Sequence, residues 1–100
     1  MESKFKRAMD VVKMNIESDP FSTGKTRAFY VAVKCLIKSA ETGKGVFLAQ
    51  KLFIPTIYSY ALEVADVTGT IEAIMDEVAV AAKAVAIWGA GAGVKEDVPA

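Results

Sequence analysis

One hundred residues carry twelve Lys and Arg against twelve Asp and Glu, one Cys, no His and 53% hydrophobic side chains. A chain of this size and apolar content makes one domain and is not disordered. Without His there is no usual proton shuttle, no Ser/His or Cys/His pair and no commonest metal ligand, and a single Cys closes no internal disulfide and builds no thiolate metal site.

Three Thr-Gly pairs, Thr23-Gly24, Thr42-Gly43 and Thr68-Gly69, fall where one apolar period gives way to another. Glycine accepts a positive φ just past a helix end, so the pairs read as helix separators. They divide the chain into predicted helices near 3–18, 24–41, 45–67 and 70–89. No stretch shows the period-two alternation of a strand, and the expectation is an all-α, four-helix bundle-like domain over 1–89. The Gly-rich remainder, 90–100, has no period to bury and is expected to be a flexible tail.

In the first segment Phe5, Met9, Val12 and Ile16 recur at helical spacing, with Lys6, Asp10, Lys13 and Glu17 on the other side. Asp19-Pro20 ends it, because a residue before proline is pushed out of the α region. Between the first two segments, Asp19 through Thr26 resembles the end of a phosphate-binding loop. Asp19 stands where such a loop needs Gly, and the residues before it read as helix where a strand is required. Ser22 or Thr23 is therefore expected to cap the second helix. That helix carries Phe29, Val33, Leu36 and Ala40 on one stripe and Arg27, Tyr30, Lys34 and Lys38 away from it. Cations beside an aromatic are the elements of sequence-tolerant RNA or DNA contact, so these four are the candidate phosphate-contacting residues. Cys35 lies on the same helix with no His to act as its base, which makes packing its expected role.

The third segment is apolar nearly all round from Val46 to Val67, which marks it as the expected central element. Pro55 predicts a kink or break between Phe53 and Thr56. The fourth segment repeats Ile71, Ile74, Val78, Ala81, Val85 and Trp88 at alternating spacings of three and four, a coiled-coil-like seam. Ala79, Ala82, Ala84 and Ala86 leave room for another helix on a second side. The seam, with Tyr58 of the third helix, is the expected interface. Glu72, Asp76 and Glu77 fall at the start of this helix and complement its macrodipole, which explains them without a metal.

Residues 1–51 hold ten basic and five acidic side chains, whereas 52–100 hold two basic and seven acidic, so a neutral total hides halves of +5 and −5. Such halves neutralise each other within one molecule or between copies. The longest uncharged runs, Leu52–Leu62 and Ala84–Val94, have 11 residues each, short of the roughly 20 that span a bilayer as a helix. Read through Lys51 and Lys83, they extend to Val46–Leu62 and Val78–Val94, which leaves a membrane-embedded hairpin as one reading. Charges recurring from Glu2 to Arg27 leave no apolar export signal, and the cytoplasm is the expected location. No acid–base pair, activated nucleophile or cofactor loop survives, so the expected function is non-enzymatic and cofactor-free. The favoured reading is a helical subunit that associates with itself or a partner protein through the third and fourth helices and complementary charge. The alternatives are a nucleoprotein subunit and the membrane hairpin.

Overall fold

The computed structural model describes residues 3–19 and 24–91. Among them every regular element is helical: α1 (Lys4–Ser18), α2 (Gly24–Thr42), α3 (Val46–Leu48), a π turn (Ala49–Phe53), α4 (Ile54–Glu63) and α5 (Thr70–Gly89). α3, the π turn and α4 follow one another without a break and make one rod, 46–63, so the architecture is the expected all-α, four-helix bundle. The proposed cap at Ser22 or Thr23 and the tail beyond residue 91 lie outside the described residues.

α1 starts where Ser3 Oγ accepts a hydrogen bond from the Lys6 N–H at 3.1 Å, which satisfies one of the helix's orphan donors. Its stripe behaves as the spacing predicts: Met9 and Val12 are buried and Phe5 and Ile16 pack against the core. α2 buries Phe29, Ala32, Val33 and Leu36, and it runs parallel to α5. At one end Thr26 and Ile71 line the same cleft, and at the other the Trp88 indole N–H donates to the Ala40 carbonyl at 3.0 Å. The rod 46–63 runs back between them in sequence, antiparallel to both. Its last residue, Glu63, meets Lys25 at the start of α2, and Gln50 near its beginning lies against Gly89 at the end of α5. α1 packs mainly on α5, with Ala8 and Val11 beside Gly69 and Ala73.

The core is built chiefly by α2 and α5, not by the rod expected at the centre. Phe29, Val33, Leu36, Ile74, Val78 and Val85 are fully enclosed, whereas the rod contributes Val46, Ala49 and Ile57 and lies against α2 with its outer side in solvent. Phe29 stacks on Tyr60 with ring centroids 4.3 Å apart, which ties α2 to α4.

Two boundaries differ from expectation for physical reasons. The chain does not break at Pro55. An α turn there would press the proline ring on the carbonyl of Lys51. Instead the Ile54 N–H reaches back five residues to Ala49, and this wider turn takes up the irregularity one turn before the proline while the backbone stays helical through Phe53 and Ile54. The rod also ends at Glu63, not Val67. Asp66 is drawn out of it to cap α5: its Oδ1 accepts from Ile71 N–H at 3.1 Å and its Oδ2 from Glu72 N–H at 2.8 Å. Gly69, at φ 76°, makes the sharp left-handed entry into α5 that this cap requires.

Candidate functional site

The interface expected on the fourth helix is occupied from within. Ile71, Ile74, Val78, Ala81 and Val85 are all buried in the chain's own core, and Trp88 is half-buried against α2. This corrects the reading of the seam as a surface for another molecule: its spacing reports burial, and α1 and α2 supply that burial. Tyr58, the third-helix member of the set, is exposed.

Of the exposed large apolar side chains among the described residues, Val11, Met14, Val31, Val67, Val80 and Ile87 are spread over the other segments, and the remaining five lie together on the rod 46–63. Phe47 (56% exposed), Leu48 (48%), Leu52 (50%), Tyr58 (41%) and Leu62 (89%) all project from it. The rod carries only two charges, Lys51 a third of the way along and Glu63 at its last residue. Lys51 Nζ lies 5.8 Å from the centre of the Phe47 ring, so the cation rests on the apolar face. Alternation of polar and apolar residues could not have marked this face. Its signal is the scarcity of charge itself: whichever side of such a rod is turned outward must be apolar.

Along the edge facing α2 the rod leaves a groove in two connected parts. One part, about 210 Å³, is lined by Ala28, Val31, Ala32, Leu52, Phe53 and Thr56. The other, about 330 Å³, shares Ala28 and Thr56 and continues past Pro55, Ser59 and Tyr60 to Lys25 and Glu63. Small residues form its floor, and Val31, 54% exposed, adds apolar surface at the rim. At the polar end Lys25 Nζ donates to Glu63 Oε2 at 3.0 Å, and Thr26 Oγ1 and Tyr60 Oη share a longer bond of 3.4 Å. Both members of the ion pair are exposed, so it is worth at most about 1 kcal/mol. The groove offers packing and one pair of opposite charges. Among the described residues no three His, Cys, Asp or Glu gather where a metal could be held.

The basic stripe stands apart from this groove. Arg27, Lys34 and Lys38 are exposed on α2 and form no salt bridge among the described residues. Tyr30 is half-buried, with Lys34 Nζ 5.5 Å from its ring centre, so the ring is engaged within the chain. Glu72, Asp76 and Glu77 on α5 are exposed and likewise unbridged. The two charged halves meet side chain to side chain at Lys25 and Glu63, and among the described residues these further cations and anions do not pair with one another. Cys35 is half-buried on α2.

No helix among the described residues is long and apolar enough to cross a membrane, which leaves the hairpin reading without a spanning element there. No protein-family model, curated protein or solved structure matches this chain. What the fold defines is a class: a small all-α, bundle-like domain whose fourth helix buries its apolar seam and whose third presents large apolar side chains to solvent.

Proposed function

We propose that this chain is a non-enzymatic helical assembly subunit that associates with further copies of itself through the outer face of 46–63. The reading is carried by one observation: five large apolar side chains, 41–89% exposed, stand on a single rod with two charges. Isolated exposed apolar residues are ordinary, but a continuous apolar face is the mark of a surface that is covered in use. A second copy is the occupant that the charges favour, because the rod's lone cation and lone anion make it complementary to itself.

The test is mass by light scattering over the micromolar to millimolar range, on the wild type and on Leu52→Glu/Leu62→Glu. The wild type is expected to grow beyond a monomer and the double variant to stay single with an unchanged helical circular dichroism spectrum. A wild type that is monomeric throughout overturns the proposal. So does an assembly indifferent to the two substitutions.

A second reading has its own observation. Arg27, Lys34 and Lys38 stand exposed without salt bridges among the described residues, which suits phosphate contact on RNA or DNA, although Tyr30 is half-buried and already has Lys34 over its ring. A mobility shift that weakens steeply with salt and is lost in Arg27→Ala/Lys34→Ala/Lys38→Ala would support it. No shift at low salt removes it.

A further inference from the structure

We infer that the rods of two copies pair antiparallel, as an isologous dimer centred near Ile57. The inference rests on the self-association reading and goes beyond it by fixing orientation. Lys51 and Glu63 are twelve residues apart, which is about 18 Å along a helix. Parallel rods would set Lys51 against Lys51 and Glu63 against Glu63. Antiparallel rods set Lys51 of each copy beside Glu63 of the other, twice, because a two-fold axis repeats every contact.

The same register brings Leu52 of one copy opposite Leu62 of the other, so the two exposed leucines that flank the midpoint cover each other. Antiparallel rods also oppose their macrodipoles, which parallel rods do not. Glu63 can serve both partners. Its Oε2 accepts from Lys25 of its own chain, while Oε1 makes no hydrogen bond among the described residues. The bonded oxygen faces α2, and the second oxygen is available to the incoming lysine.

Spin-label distances separate the orientations. In a full-length Cys35→Ser background, a label at Lys44→Cys or at Ala65→Cys marks either end of the rod, and both positions are exposed. For an antiparallel pair, Lys44 labels lie about 40 Å apart, against about 10–15 Å for a parallel pair, from the helical rise and the usual interaxial spacing. An equimolar mixture of the two labelled proteins is expected to add a short distance that neither gives alone. Lys51→Glu, which places acid against Glu63, is expected to weaken dimerisation about tenfold at low salt, with the difference shrinking as salt rises.

Short distances in each singly labelled sample, or no short distance in the mixture, overturn the antiparallel pairing while leaving self-association standing. An unlabelled wild type that stays monomeric overturns both. An unchanged affinity in Lys51→Glu at low salt also overturns the pairing.

Discussion

Trp88 is the chain's sole tryptophan, and its place explains why residue 43 is glycine. The indole N–H is held by the Ala40 carbonyl, and the ring lies so close to Gly43 that a Cβ there would stand 2.7–2.8 Å from three ring carbons. Gly43 also has φ +73°, where a side chain costs about 1–2 kcal/mol on its own. Crowding the ring adds a further cost of about 1–3 kcal/mol. Gly43→Ala is therefore expected to lose about 2–5 kcal/mol in urea denaturation, with a red shift in tryptophan emission as the ring is displaced. Asp66 acts at the opposite end of α5. It accepts two backbone N–H groups, so Asp66→Ala is expected to lower stability by about 1–2 kcal/mol, and hydrogen exchange should speed up at Ile71 and Glu72 before it does elsewhere in the helix. Exchange unchanged at those two amides would show that the cap contributes nothing.

Among the elements, α1, α2 and α5 were legible because each writes one apolar stripe and one charged side, and a stripe at helical spacing means a buried face. Periodicity does not say which molecule does the burying. Ile74 and Val78 read equally well as a seam for a partner and as a core, and only the positions of α1 and α2 decide between them. The rod 46–63 was misplaced for a related reason. With hardly any charge it has no favoured side in the sequence, and apolarity all round suggested the centre of the bundle. Its end at Glu63 is hidden because Val64, Ala65 and Val67 continue the apolar run, while the bonds by which Asp66 caps α5 span five and six residues of chain that sequence spacing does not display. Core and outer face can be told apart by substitution. Ile74→Ala, in a fully enclosed site, is expected to cost about 2–5 kcal/mol. Leu62→Ala, 89% exposed, should leave the stability of the single chain within about 0.5 kcal/mol while weakening association. Urea titrations at a protein concentration low enough to dissociate copies make the comparison, and equal costs at the two sites would contradict the assigned burial.

At the scale of the whole molecule, the helix directions rationalise the acidic side chains at the start of α5. α2 and α5 run parallel, so their positive macrodipole ends share one end of the bundle, where Asp66 and Glu72 stand at the start of α5 and Glu63 meets Lys25 at the start of α2, while neither helix carries a basic residue in its last turn. Asp66 and Glu72 complement the dipole of α5, and Lys25 and Glu63 form a direct salt bridge. The apolar face of the rod is not relieved in this way, and its exposure has a thermodynamic signature. If copies cover it, folding is linked to association, because only the folded chain presents the face. Each tenfold rise in concentration then adds about 0.7 kcal/mol per chain, half of the 1.4 kcal/mol that a decade contributes to a two-chain equilibrium. For a domain of this size that shifts Tm upward by roughly 3–5 °C per decade once the dimer predominates. Calorimetry on Leu52→Glu/Leu62→Glu should show a Tm independent of concentration and equal to that of the wild type at high dilution, since both leucines lie outside the core. A wild-type Tm that does not move with concentration would mean that the face stays open in solution. In that case the outer residues of 46–63 would add nothing to stability beyond the fold of the single chain.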